Sequence, residues 1–99
     1  MTDSTRRIME QLLAIPQGRV SCYRDIAAKA GLPNGARQVV RVLHALSEKH
    51  NLPWYRVIRS NGSIALEEEA GKELQMSLLR AEGVEVSSSG RIDMERFGI

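Results

Sequence analysis

The sequence is short of the residues that hold small secreted or metal-bound domains together. It has one cysteine, Cys22, which excludes an internal disulfide framework and suits a reducing compartment. His44, His50 and Cys22 lack metal-ligand spacing, so neither a metal nor a cofactor is expected. No apolar run approaches the roughly 20 residues of a membrane span, and Met1-Thr2-Asp3-Ser4 does not open like a signal peptide. No Ser-His-Asp set carries a local signature, and there is no repeat, low-complexity tract or long linker. Aromatic residues are few: Tyr23, Trp54, Tyr55 and Phe97. The expectation is one cytoplasmic, monomeric domain over residues 1–99, with a modest core and no membrane association.

Charge is more informative than its total. Residues 1–66 carry ten Lys/Arg against four Asp/Glu, a balance of +6, whereas residues 67–99 carry four against eight, or −4; together these give the net +2. A positive first part supplies the non-specific attraction to phosphates that a DNA binder needs, although an uneven solvated surface has the same signature.

The pattern of apolar residues and breakers predicts a mainly helical chain. Asp3 or Ser4 can cap a first helix bearing Ile8, Leu12 and Ile15, ending before the Pro16-Gln17-Gly18 turn. Ser21 is a candidate N-cap for a helix to about Ala30, with Gly31 just past its end. A turn at Leu32-Pro33-Asn34-Gly35 leads into a helix over about Ala36–Lys49. Its inner face is Val39, Leu43 and Leu46, and Arg37, Arg41 and His44 form an exposed stripe. Two helices joined by a Gly-containing turn, the second carrying a basic stripe, read as helix-turn-helix. A strand from about Tyr55 to Arg59, turning at Asn61-Gly62 and returning through Ile64-Ala65-Leu66, adds a β wing, so the fold class expected is a winged helix-turn-helix. A last helix over about Glu68–Glu82 places Leu74, Leu78 and Ala81 inward. A small hairpin is expected from Val84-Glu85-Val86 and Arg91-Ile92-Asp93-Met94.

Several residues admit both a chemical and a structural reading. Arg37 follows the small Ala36, which lets the helix approach a groove, and an arginine can fill the space left by a base; otherwise it is a solvated charge. Tyr23 can bond a phosphate or be half-buried. Trp54 can wall a pocket for a stacked base or fill the core. Cys22 is a nucleophile only if a helix start or Arg24 favours its thiolate.

In order along the chain, Ile15-Pro16-Gln17-Gly18-Arg19-Val20-Ser21 with Tyr23, Asp25-Ile26-Ala27, Gly31 and Pro33, and Ala36-Arg37-Gln38-Val39 form one pattern. It continues through Pro53-Trp54, Arg56-Val57-Ile58, Asn61-Gly62 and Leu78-Leu79 with Glu82-Gly83. This ordered set, over about residues 8–86, resembles the DNA-binding domain of the O6-alkylguanine-DNA alkyltransferases. Trp54 stands where those enzymes keep the reactive cysteine and Tyr55 where they keep a histidine, so the resemblance is closest to the alkyltransferase-like proteins.

The resemblance implies duplex DNA containing O6-alkylguanine as the ligand, bound through the minor groove by the helix from Ala36. It implies Arg37 as the finger that fills the gap of a flipped nucleotide, and Tyr23 as the residue that rotates the 3′ phosphate. Arg24, Ala36 and Arg41 would complete the DNA contact. Pro53, Trp54, Tyr55, Val57, Ser60 and the loop after Leu66 would line the alkylguanine pocket. Without the cysteine and histidine the retained Glu82 is inert, so no transfer is expected and the bound site is a flag read by nucleotide-excision repair. Three departures stand out: Val40 where the family usually has glycine, Arg24 after the tyrosine, and Glu67-Glu68-Glu69 where relatives often have a basic probe of the lesion. The competing expectations are a winged-helix transcription regulator reading the major groove and an alkyltransferase acting through Cys22.

Overall fold

The computed structural model describes residues 1–99. Helix α1 (Asp3–Leu13) is capped by Thr2, whose Oγ1 accepts from the Thr5 amide at 3.1 Å. The cap is one residue earlier than Asp3, because Asp3 gains more inside the first turn, where its carboxylate meets the helix dipole and Arg7. Ile15 lies beyond the helix yet is buried with Ile8 and Leu12.

Strand β1 (Ser21–Cys22) leads directly into α2 (Tyr23–Lys29), and Gly31, at φ 79°, closes that helix as expected. Ser21 is not its cap. The position falls to Cys22, because β1 pairs in parallel with β2 (Val57–Ile58) and draws Ser21 into the ladder, in the register Ser21 to Val57 and Cys22 to Ile58. A parallel pair needs a crossover, and α2 with α3 (Ala36–His50) supplies it. Helix α3 ends on Asn51 in the left-handed conformation.

The fold class is the one expected, but the expected hairpin is cut short to a turn in which the Arg59 amide donates to the Ser63 carbonyl at 2.9 Å. Asn61-Gly62 does turn the chain, with the Gly62 amide on the Arg59 carbonyl at 2.9 Å and Gly62 at φ 88°. The returning segment then leaves β2: Ile64 donates to Gly90 at 3.0 Å, and Ser63 bridges Arg91. Tyr55 does not begin a strand either, since Trp54–Arg56 winds into a 3₁₀ turn after Pro53. At the C-terminus, Ser87–Gly90 forms the expected turn, but Met94–Phe97 is a short helix, α5, capped by Asp93.

Helix α4 (Glu69–Ala81) buries Gln75, Met76 and Leu79, not the predicted face: Leu74 is 52% exposed and Ala81 is exposed. Residues 75, 79 and 82 lie on one stripe, two of them polar, so a search for apolar periodicity settles on the wrong face. Two cores result. One joins α1, α2 and α3 around Ile8, Leu12, Ile26 and Val39; the other gathers Val20, Ile64, Leu79, Val84 and Phe97. Strand β2 divides them, sending Val57 into the first and Ile58 into the second, as side chains alternate along a strand. No helix is long and apolar enough to cross a membrane.

Candidate nucleic-acid interface

The N-termini of α2 and α3 meet at a groove lined by Tyr23, Arg24, Ala36, Arg59, Ser60 and Asn61. Neither helix has a side-chain cap, so their first amides remain available to acceptors, and two arginines add full positive charges. Arg37 and Arg41 project from α3 into solvent without an ion-pair partner. The structure therefore brings Tyr23, Arg24 and Ala36 together. It adds Arg59 and Asn61, which sequence reasoning missed, although Arg59 adjoins the Asn61-Gly62 turn signal.

Beside the groove is a cavity of about 300 Å³, lined by Tyr23, Val40, Leu43, His44, Ser47, Trp54, Val57, Leu66 and Gln75. Four of these, Val40, Leu43, His44 and Ser47, are successive members of one face of α3. Val40, where the family usually has glycine, is 38% exposed and forms part of the cavity wall. Tyr23 is shared by cavity and groove, and burial pushes its phenol up, so it stays neutral. Glu67, Glu68 and Glu69 are exposed and do not line the cavity; Glu69 sits in the first turn of α4, where the helix dipole favours it.

Of the predicted pocket residues, Trp54 and Val57 line the cavity. Ser60 lies in the groove, and Pro53 is buried and lines neither. Tyr55 turns to the far side, its ring edge-on to Trp54 at 5.8 Å and its hydroxyl donating to Glu82 Oε2 at 3.0 Å. Glu82 also accepts from Arg56 Nη2 at 2.6 Å, Arg56 Nε at 3.0 Å and the Gly18 amide at 3.0 Å, while Arg56 Nη1 reaches the Ile15 carbonyl at 2.9 Å. Glu82 is both the C-cap residue of α4 and the ion-pair partner of Arg56. Burial acts to raise its carboxyl pKa, but the bonds from Arg56, Gly18 and Tyr55 outweigh it and hold the group below the usual range. Burial, then the bond to Glu82, pushes the Tyr55 phenol up. At neutral pH the pair is a carboxylate and a phenol, with neither poised to take up a proton.

Cys22 is 2% exposed, and burial raises its thiol above the ordinary value despite its place at a helix start. The thiolate is the reactive form, so iodoacetamide is expected to label the native protein at pH 7.5 far more slowly than the urea-unfolded chain, read by intact mass. Equal labelling rates would contradict the buried-thiol assignment.

The family model for the DNA-binding domain of 6-O-methylguanine DNA methyltransferase matches residues 3–84. The chain belongs to this alkyltransferase family. Among its relatives, a DNA base-flipping protein of Escherichia coli is 46% identical over 94 residues, which cover 93% of this chain and 70% of that one. Alkyltransferase-like protein 1 of Schizosaccharomyces pombe is 37% identical over 87 residues, covering 87% and 81%. The crystal structure of S. pombe Atl1 with damaged DNA containing O6-carboxymethylguanine superimposes with a TM-score of 0.84 at 33% identity, covering 98% of this chain and 94% of that one. Mycobacterium tuberculosis OGT in complex with DNA gives 0.66 at 29% identity, with only 50% of that longer chain covered. The chain is an alkyltransferase-like member of the family, and its mainly helical fold with a two-stranded sheet is theirs.

Proposed function

We propose that this alkyltransferase-like protein is a non-enzymatic DNA damage sensor. It binds duplex DNA from the minor groove through α3, turns an O6-alkylguanine out of the helix, holds it beside Trp54 and marks the site for nucleotide-excision repair. The observation that carries this reading is the cavity itself: a mostly apolar recess opens next to a basic groove, and its wall bears an indole where the transferases have their cysteine. Extruding a base costs a few kcal/mol, least for a weakened pair, and stacking in a pocket offsets it. An indole is no nucleophile, and Tyr55 is committed to Glu82, so the two residues at the positions of the transferases' cysteine and histidine do not take up an alkyl carbon. Arg37 fills the vacated space, Tyr23 and Arg24 hold the backbone at the groove, and Arg41 meets a phosphate farther along α3. Arg59 and Ser60 are further backbone contacts. Cavity and groove are built by one chain, so a single-domain monomer suffices. The relatives named for base flipping and solved with damaged DNA support the reading.

The test compares matched duplexes carrying guanine or O6-methylguanine and then weighs the recovered protein. The expected result is tighter binding to the lesion, release of intact alkylated DNA and no mass change. Equal affinity for the two duplexes ends the sensor reading. A stable mass gain would restore an alkyltransferase, and sequence preference without lesion preference would indicate a transcription regulator.

A further inference from the structure

Helix α4 carries two apolar faces, and the fold uses one of them. Met76 and Leu79 enter the second core, while Ala70, Leu74, Leu78 and Ala81, at i, i+4, i+8 and i+11, share the other side. Leu74 is 52% exposed, Ala70 and Ala81 are exposed, and Leu78 is half-buried without joining either core. A lone leucine in solvent is ordinary, but an apolar stripe along three turns of one helix is not. Along its flank, α4 and Ser88 of the Ser87–Gly90 turn enclose a cleft of about 320 Å³, whose walls include Glu73, Met76 and Arg80. None of these residues lines the groove or the cavity.

Where the stripe begins, its surroundings are charged with one sign. Glu67, Glu68, Glu69 and Glu73 are exposed, and none of them has an ion-pair partner. The two cations of α4 are turned elsewhere: Arg80 Nη2 donates to the Val86 carbonyl at 2.7 Å, and Lys72 lies against Gly90. Uncompensated carboxylates repel a phosphate backbone and an anionic lipid surface alike, so neither covers this face. A second copy of the chain is disfavoured by size. The stripe is about 17 Å long and about 10 Å wide, well short of the roughly 800 Å² that each side of a stable dimer buries. One short helix fits it, leucine-like on one side and basic on the flank, with a lysine or arginine stem over Met76 bringing its charge to Glu73. We propose that the outer face of α4 docks a basic amphipathic helix of a protein partner. This surface is separate from the DNA groove and the cavity, so it stands whether or not the lesion reading does.

The experiment titrates the isotopically labelled full chain, followed by NMR, with two synthetic peptides about four helical turns long. One has leucine and lysine at amphipathic helical spacing; the other has glutamate in place of lysine. The lysine peptide is expected to shift the amide resonances of α4 and of the Ser87–Gly90 turn, and to bind at least about tenfold more tightly than the glutamate peptide. Leu74→Ser should weaken it about tenfold, by removing apolar area that the peptide buries, and Glu73→Gln about threefold, an effect that salt erases. Leu13→Ser, at an equally exposed leucine on α1, should leave binding unchanged. All three positions are exposed, so the variants should keep the wild-type melting temperature and the wild-type affinity for duplex DNA. Absence of binding, shifts centred away from α4, or a preference for the glutamate peptide overturns the proposal. So does a wild-type dimer that Leu74→Ser dissociates, which would make the face a self-contact. A loss of DNA affinity in Leu74→Ser would place the face in the DNA interface and end the proposal as well.

Discussion

Arg37→Ala is expected to lower affinity for a duplex carrying O6-methylguanine about a hundredfold, a loss of roughly 2.7 kcal/mol. The reason is geometric. Arg37 is the second residue of α3, exposed and unpaired, beside the small Ala36 and the groove between two uncapped helix ends. A guanidinium there can enter the duplex and stack in the space an extruded base vacates, and its removal leaves that space to collapse or to water. Arg41 lies one turn farther along α3, and in the proposed complex it meets a phosphate only. Arg41→Ala should cost a few-fold, equally on damaged and undamaged DNA, and reduce the salt slope by about one. Arg96, paired with Glu85, serves as the surface-charge control. Fluorescence anisotropy titrations of the three variants decide the matter: if Arg37→Ala behaves like Arg96→Ala, the finger assignment is wrong.

Arg56→Ala should destabilise the folded protein by about 3–5 kcal/mol, the usual cost of leaving a buried ionic partner uncompensated. Arg56 and Glu82 are 15% and 10% exposed, and their pairing ties the Trp54–Arg56 turn to α4, Ile15 and Gly18. A loss of that size should lower the melting temperature by more than about 10 °C for a domain of this length. The same pair sets a pH dependence. Glu82 titrates below the ordinary carboxylate value when folded, so its stabilisation is complete above that value and is lost as pH falls through the depressed one. Arg56 is pushed up from an already high value and stays charged throughout. Urea unfolding from pH 7 to pH 3 should show stability falling on acidification, with a flatter acid limb in Glu82→Gln. Identical limbs would mean that the pair does not carry the acid sensitivity.

These predictions differ in how much of their basis is written in the sequence. The first helix apart from its Thr2 cap, the glycine closing α2, the turn at Asn34-Gly35 and the exposed Arg37/Arg41 stripe all follow from local rules: breakers and a 3.6-residue period. The place of Trp54 on the cavity wall was legible as well, because Pro53-Trp54 and Arg56-Val57-Ile58 lie in one continuous run. Arg59 and Ser60 follow that run directly, yet only the fold turns them toward Tyr23 and Arg24.

What the sequence alone determined is the helix-turn-helix, its charge and the indole set between Pro53 and the Arg56-Val57-Ile58 run, since each depends on neighbours within a turn or two. The tertiary structure decided the rest. It paired β1 with β2 in parallel and cut the expected hairpin short, turned α4 so that Gln75 and Glu82 face inward, moved Tyr55 off the cavity and sealed Cys22. Each of these is a hydrogen bond or burial between segments far apart in the chain, such as Arg56 with Glu82, 26 residues on, or Gly18 with Glu82, 64 on. Such partners share no period, so their meeting is settled only when the two cores close around them.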